Sequence, residues 1–186
     1  MIEIPFSPTM IAEAKKKAEE LGEINNSITK GGGNRAGYLG EFSIAKHIKA
    51  NNVSCELGRS KYNRDLIKYK GSTEIDLEVK TKRRTANPKS YYDASIADTS
   101  KHQQPNYYLF LSITFQRSTK EHPRQYYNPL SVWFCGFMER DEYFKKAKLW
   151  KKGDVDNSND FTTKVDMYNL PYSELIHPKE FFNIFK

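Results

Sequence analysis

Residues 74–82, EIDLEVKTK, alternate acidic and apolar side chains and then change from acids to lysines. Because successive residues of a β-strand point to opposite faces, Ile75, Leu77 and Val79 are predicted to face the core. The opposite face would then carry Glu74, Asp76, Glu78, Lys80 and Lys82. Neighbours on one face are ~7 Å apart, so Glu78 and Lys80 can reach one point. A carboxylate and an ammonium there can hold a divalent cation and polarise a water or a phosphate oxygen.

A magnesium ion usually takes one or two carboxylates, with water and phosphate completing its shell. A second acid from another segment is therefore expected, and Asp65 is the first candidate. If residues 55–71 and 72–82 form a hairpin that turns near Gly71, Asp65 comes beside Glu78. Asp76 fits the separation about as well, so the sequence leaves both acids open as the second ligand.

Glu41 lies in a helix predicted over residues 36–50. At 100° per residue it projects about 20° from Ile48 and about 40° from Ala45, which places it in the apolar arc. A carboxylate without a partner is costly there, which indicates a metal, a lysine or a hydrogen bond. The alternative is an edge residue whose carboxylate reaches out to solvent.

Together these residues resemble the PD-(D/E)xK nuclease superfamily, also called restriction-endonuclease-like. Its pattern places an acid near the start of one strand and an acid-x-Lys triplet on the next. Here Asp65 and Glu78-Val79-Lys80 match that pattern, and Arg64 replaces the proline of the motif. The family often adds a glutamate on the preceding helix, and GYLGEFSIA around Glu41 is similar to that element. The resemblance covers about residues 36–114, and segments of residues 133–172 also resemble small phage and bacterial members.

The resemblance implies an α/β fold with a restriction-endonuclease-like core, in which helices flank a central mixed sheet. It implies a Mg²⁺- or Mn²⁺-dependent deoxyribonuclease, specifically an endonuclease acting on double-stranded or branched DNA. The implied metal ligands are Asp65, Glu78, the Val79 carbonyl and Glu41. The metal would lower the pKa of a bound water and neutralise charge on the scissile phosphate. Lys80 would position the attacking water and stabilise the charge that develops at phosphorus.

Two alternatives belong to other classes of function. The first is a catalytically inactive nucleic-acid-binding module of the same fold. The second is an ordinary amphipathic strand whose charges lie on its solvent face, so that Asp65 and Glu78 serve no chemistry.

Charge is compatible with a polyanionic partner, since 30 Lys and Arg against 23 Asp and Glu give a formal net charge of +7. A merely solvated surface explains that charge equally well. The candidate DNA contacts are Lys82, Arg83, Arg84, Lys89 and Arg35, and the candidate auxiliary polar residues are Asp76, Gln103 and Gln104. The triple glycine within residues 22–35 could present N–H groups to a phosphate, although a flexible linker explains it better.

The length of 186 residues suits one domain, and the mean hydropathy of −0.78 predicts a modest core. Cys55 and Cys135 show no metal-ligand spacing and are predicted to be free thiols in a reducing compartment.

Neither a signal peptide nor a membrane span is visible, so we expect a cytoplasmic protein of a bacterium or a phage-infected cell, without a membrane partner. Cleavage of two strands needs two sites, which a homodimer would supply.

The remaining pattern predicts a single domain over residues 1–186, with an N-terminal helix, a core and a C-terminal extension. Ser7 is the predicted N-cap of the first helix, Pro8 its first residue and Gly22 its end. The predicted segments are a helix at 8–21, a core at 36–137 with buried strands at 107–114 and 130–137, and an extension at 138–186. Within the extension we expect a helix over residues 138–150, a strand near 166–170 and a final helix from His177 or Pro178.

Overall fold

The computed structural model describes residues 1–21, 33–58, 65–70, 72–117, 128–156 and 161–186. Several features predicted from the sequence lie outside these ranges: Gly22, the triple glycine up to residue 32, Arg64 and the turn at Gly71. None of the helices within the described ranges is long and apolar enough to cross a membrane.

Four α-helices, two short 3₁₀ helices and eleven strands make up the regular structure of the described residues. The helices are α1 (Pro8–Leu21), α2 (Asn34–Ala50), α3 (Arg140–Lys146) and α4 (Pro178–Phe185). The first seven strands are β1 (Ile2–Ile4), β2 (Cys55–Leu57), β3 (Leu66–Lys70), β4 (Thr73–Arg84), β5 (Asp93–Ala97), β6 (Tyr107–Phe115) and β7 (Pro129–Glu139). The last four are β8 (Lys148–Trp150), β9 (Val155–Asp156), β10 (Phe161–Thr162) and β11 (Met167–Pro171).

A mixed six-stranded sheet forms the centre of the molecule, in the order β1-β7-β6-β4-β3-β2. The β4–β6 pair is parallel and the other pairs are antiparallel. The long strand β4 is therefore central, with β3 on one side and β6 on the other. This arrangement confirms the predicted α/β class with a mixed sheet and flanking helices.

Each face of this sheet is covered by a different layer. Helices α1, α2 and α4 pack on one face, where Leu77 and Val79 of β4 join the first core. On the other face, Tyr108 and Phe110 of β6 pack against β5, β11 and α3 in a second core. Both faces of β6 are buried, as predicted for a central strand. The face of β4 that carries Glu78 and Lys80 therefore faces this second layer rather than open solvent.

The second layer is a three-stranded sheet in the order β5-β11-β8, to which the C-terminal extension contributes two strands. The strand predicted near residues 166–170 and the final helix are present as β11 and α4. The predicted helix over residues 138–150 is wrong at both ends, because β7 continues to Glu139 and residues Lys148–Trp150 pair with β11. The predicted strand over residues 55–71 is two short strands, β2 and β3.

The ends of the first two helices agree closely with the sequence. The Met10 N–H donates to the Ser7 hydroxyl at 3.3 Å, which confirms Ser7 as the N-cap and Pro8 as the first residue of α1. Helix α2 begins at Asn34, two residues before the predicted start, and ends at Ala50 as predicted. It therefore carries Glu41 in its second turn.

Gly40 allows α2 to approach β4 closely. A Cβ atom at this position would overlap Thr81 Oγ1 and lie 3.3 Å from Thr81 Cβ. Because Glu41 is the next residue, the same approach sets how far its carboxyl lies from the sheet. We therefore predict that Gly40→Ala lowers the free energy of unfolding by about 1–3 kcal/mol through overpacking, as measured by urea denaturation.

Gly37 supplies the matched control for this prediction. It lies one turn earlier in the same helix, and a Cβ there would have no atom within 4 Å. Gly37→Ala should stabilise the protein by about 0.4–1 kcal/mol, since alanine favours the helix and nothing crowds it. Adding Thr81→Ala to Gly40→Ala should recover part of the lost stability; equal effects of the two glycine substitutions would contradict this account.

Candidate active site

Asp65 and Glu78 are brought together by the pairing of β3 with β4. Leu66 pairs with Leu77, so Asp65 continues the register opposite Glu78. The Val79 N–H donates to Asp65 Oδ2 at 2.8 Å, which fixes this carboxyl against the middle of β4. The pairing of β3 with β4 therefore brings Asp65 beside Glu78, as the hairpin prediction required.

Lys80 is held between two acceptors. Its Nζ donates to Glu78 Oε1 at 2.8 Å and to Gln103 Oε1 at 2.9 Å. The same nitrogen lies 5.9 Å from the centre of the Tyr108 ring, which is fully buried. The side chains of Glu78 and Lys80 are only 9% and 21% exposed, so this ion pair is shielded from solvent. The acid-x-Lys triplet therefore forms one connected unit with Gln103.

The segment that carries Gln103 is fixed by an arginine that the sequence did not single out. Arg140, at the start of α3, donates from Nε to the Gln103 carbonyl at 3.3 Å. It also donates from Nη2 to the Lys101 carbonyl at 3.3 Å. Arg140 thereby positions Gln103 against Lys80. Only tertiary structure reveals this role, since the sequence around Arg140 predicts an ordinary helix start.

Glu41 extends the acidic cluster from the helical layer. It is partly buried on α2, as predicted from its place on the apolar arc. Burial, and then the charges of Asp65 and Glu78, raise the pKa of Glu41 to about 8, whereas Lys17 and Lys80 act in the opposite direction. The carboxyls of Asp65 and Glu78 therefore lie close enough to Glu41 to influence its ionisation.

The pKa of Asp65 is raised by similar causes. Burial and the charge of Glu78 raise its pKa to about 7, against the opposing effects of the Val79 N–H and Lys80. Asp76, the alternative second ligand, bonds to Asn106 through its main chain: its N–H donates to Asn106 Oδ1 at 2.7 Å, and its carbonyl accepts from the Asn106 N–H. The carboxyl of Asp65, by contrast, is itself held against β4 by the Val79 N–H. The geometry therefore favours Asp65 over Asp76 as the partner of Glu78.

Two further residues on the helical side line this cluster. Lys17 of α1 lies 5.8 Å above the Tyr38 ring and 5.0 Å above the Phe42 ring. Burial and the charges of Glu41 and Asp65 raise the pKa of Tyr38. Neither residue stands out in the sequence, since Lys17 belongs to a charged helix surface and Tyr38 to an apolar pattern.

The donor atoms suit a hard divalent cation, although they do not form a complete cage. Within the described ranges, no three His, Cys, Asp or Glu side chains converge as a ligand group. Asp65 and Glu78 remain, as two carboxylates that repel each other and supply hard oxygen atoms. Two carboxylates are as many as a magnesium site usually takes from protein side chains, with water and phosphate completing the shell. The residues present therefore fit Mg²⁺ or Mn²⁺.

The interpretation of β4 as a strand with charges on a solvent face is wrong for its central acid. Glu78 is only 7% exposed and Lys80 is partly buried, whereas Glu74 is exposed near the start of the strand. A buried carboxylate beside a second carboxyl is costly for an element that serves packing alone. The cost indicates that the cluster has a purpose other than solubility.

The predicted DNA-binding residues occupy different environments. Lys89 is exposed, as is the candidate auxiliary residue Gln104, and Arg35 is partly buried in the first turn of α2. Arg84 lies 4.3 Å from the centre of the Tyr92 ring. Lys82 lies between the layers, where burial and then Arg84 lower its pKa to about 8. Lys82 is partly exposed, so its contact with DNA stays a prediction.

Comparison of this chain with protein-family models and with curated protein sequences gives no match.

Proposed function

We propose that this protein is a metal-dependent nuclease that hydrolyses DNA phosphodiester bonds. The observation that carries the proposal is the grouping of Asp65, Glu78 and Lys80, with Glu41 next to them. The order of helix, strand start and strand agrees with the PD-(D/E)xK pattern, which supports a restriction-endonuclease-like core. An acid pair beside a lysine, at an edge where two strands meet a helix, suits phosphodiester hydrolysis better than packing.

Each residue of the site would have its own role in hydrolysis. Asp65 and Glu78 would bind a Mg²⁺ or Mn²⁺ ion, with the Val79 carbonyl as a further ligand and Glu41 completing the site. Bound there, the ion would supply Lewis-acid activation of water and neutralise charge on the phosphate. Lys80, oriented by Glu78 and Gln103, would hold the attacking water and stabilise charge on the phosphoryl oxygens. The Val79 N–H keeps the Asp65 carboxyl in place throughout.

Burial of the acids also explains how the site would select its cation. In the absence of a cation, burial and mutual repulsion raise the pKa of Glu41 to about 8 and that of Asp65 to about 7, so both acids bind protons more readily than ordinary carboxyls. Metal binding requires deprotonated ligands, so it would release protons from this cluster. A divalent cation offsets the repulsion among the three carboxyls more effectively than a monovalent one.

A second candidate is a nucleic-acid-binding module of the same fold without turnover. One observation favours it: Glu78 already forms a direct ion pair with Lys80 at 2.8 Å, which occupies one carboxylate oxygen. In that case the charges of β4 would neutralise one another. The basic surplus of the chain would then account for binding alone.

Cleavage of labelled linear, circular, branched and single-stranded DNA, with and without Mg²⁺ or Mn²⁺, separates the two functions. We expect cleavage that depends on the divalent cation, with duplex or branched DNA preferred. Cleavage of circular DNA would identify an endonuclease, and coordinated cleavage of both strands would favour a homodimer. Binding of these DNAs without cleavage under any cation would contradict the nuclease and support the binding module.

A further inference from the structure

A pocket lies at the C-terminal end of β4, beyond the acidic cluster. It has a volume of about 270 Å³ and is lined by Arg83, Arg84, Thr85, Ala86 and Tyr92. Because adjacent residues of a strand face opposite ways, Arg83 and Arg84 approach the pocket from the two sides of β4. Two arginines, a threonine and an aromatic residue therefore line one open cavity.

Arg84 is fixed in this pocket mainly by aromatic rings. Its guanidinium lies 4.3 Å from the centre of the Tyr92 ring and 5.8 Å from that of Tyr172. It donates one long hydrogen bond of 3.4 Å to the main-chain carbonyl of Asp93. Stacking orients the planar guanidinium and leaves further N–H donors for a ligand. Among the described residues, Arg84 forms no ion pair with a carboxylate, so its charge is available to an anion.

The surroundings add positive charge and an exposed ring. Lys82, two residues earlier on the same face of β4, lies close enough to Arg84 for each charge to oppose the other. At the rim, Lys89 Nζ lies 5.6 Å from the Tyr91 ring, and that residue is 64% exposed. Asp93 acts on Lys82 in the opposite direction, but the basic side chains at this end of β4 outnumber it and so favour an anionic ligand.

The loop that forms one wall of the pocket is anchored to the central sheet. Asn87 Oδ1 accepts hydrogen bonds from Thr114 Oγ1 at 2.9 Å and from Ser131 Oγ at 3.1 Å. The Ser131 hydroxyl in turn accepts from Trp133 Nε1 at 2.9 Å. This network holds the loop against β6 and β7, so the pocket is formed before any ligand arrives.

We propose that this pocket binds a phosphate group of the nucleic acid remote from the bond that is cleaved. Six residues separate Glu78 from Arg84, which is ~20 Å along an extended strand. B-DNA rises 3.4 Å per base-pair step, so this distance corresponds to roughly six steps. The planar guanidinium of Arg84 suits the bidentate geometry of phosphate oxygens. The contact carries no sequence information, because it reads only the backbone.

This inference rests on the proposed function for its ligand, yet it is tested by binding alone. Affinity for duplex DNA is measured by fluorescence anisotropy in the Glu78→Gln background, which removes cleavage from the measurement. Thr85→Glu places a carboxylate at the rim of the pocket without disturbing the stacked Arg84. We expect Thr85→Glu to weaken DNA binding by about tenfold when the duplex extends about ten base pairs on each side of the cleavage position. The slope of log affinity against log salt concentration should fall by about one.

Two matched controls and a length series make this test specific. Thr85→Gln keeps the size of the side chain without its charge. Lys145→Gln on α3, where the side chain is 77% exposed, changes the net charge by the same amount as Thr85→Glu. Lys145→Gln should bind DNA like the parent, and Thr85→Gln should lose much less affinity than Thr85→Glu. On a duplex of about four base pairs, which is too short to reach from Glu78 to the pocket, Thr85→Glu should have no effect.

Arg83→Gln serves as a second variant of the pocket. Duplexes with and without a 5′-phosphate distinguish an internal phosphodiester from a terminal phosphate as the bound group. A loss of affinity that is independent of the end group assigns the pocket to an internal phosphodiester. A loss confined to phosphorylated ends assigns it to a terminal phosphate. Equal affinities of Thr85→Glu and Thr85→Gln for the long duplex, or equal losses on long and short duplexes, would overturn the proposal. Absence of cleavage by the wild-type protein would count against the proposed function and leave this binding result intact.

Discussion

Replacing Glu78 with glutamine is expected to lower the rate of Mg²⁺-dependent DNA cleavage by on the order of 10³-fold, because a metal site contributes several kcal/mol to such a barrier. Lys80→Gln should lower the rate by on the order of 10²–10³-fold, as expected for removal of one group that stabilises charge in the transition state. Since the two side chains form one unit at 2.8 Å, the double variant should be little slower than the slower single variant. Rates are measured by plasmid nicking under single-turnover conditions.

Glu74→Gln is the control for this series. Glu74 lies on the same strand and belongs to the same alternating set of charges, but it is exposed and four residues from Glu78. Its replacement changes the net charge equally and should leave the rate unchanged. Because Glu78→Gln and Lys80→Gln each break a shielded ion pair, thermal denaturation and DNA affinity are measured alongside. If folded Glu78→Gln and Lys80→Gln proteins cleave DNA as fast as the wild type, Glu78 and Lys80 are not catalytic residues.

The second large effect concerns stability and pH. In the metal-free protein, the free energy of unfolding should fall as pH rises from about 4 to about 8. The pKa of Asp65 is raised from 3.8 to about 7, and that of Glu41 from 4.5 to about 8. The folded state thus binds these protons more tightly than the unfolded state, so the stabilisation is complete below about pH 4 and is lost as pH rises through the folded values. At about 1.4 kcal/mol per unit, the change for Asp65 alone is roughly 4 kcal/mol.

Urea denaturation across this pH range, with EDTA present, measures the effect. The Asp65→Asn and Glu41→Gln variants should flatten the pH dependence, and each should be more stable than the wild type near pH 8. Adding Mg²⁺ should raise the stability of the wild type more at pH 8 than at pH 5, at constant ionic strength. A stability that stays level or increases between pH 5 and pH 8 without metal would contradict the burial of this acid cluster.

Local patterns in the sequence predict the elements that carry the site. The alternation of β4, the capped start of α1 and the apolar face of α2 all depend on residues close together in the chain. Even the meeting of Asp65 with Glu78 follows from one hairpin, whose register is local. These features could be derived because neighbouring side chains alone determine them.

The second layer could not be derived in this way. Strands β5 and β8 are short, contain alanine, serine or lysine, and pair only through β11, about 70 residues from β5 along the chain. The short strand β1 likewise depends on its pairing with β7, about 130 residues away. Without the second layer, Lys82 looks exposed, Gln103 cannot be distinguished from Gln104, and Arg140 has no visible role. Such contacts depend on long-range packing, which no local pattern encodes.

The most direct measurement is an anomalous difference map from crystals of the protein soaked in Mn²⁺. We expect a peak between the Asp65 and Glu78 carboxylates, and no such peak in Glu78→Gln crystals grown in the same way. If Mn²⁺ leaves this position empty while Glu78 keeps its ion pair with Lys80, the metal-dependent nuclease is contradicted and the binding module is favoured.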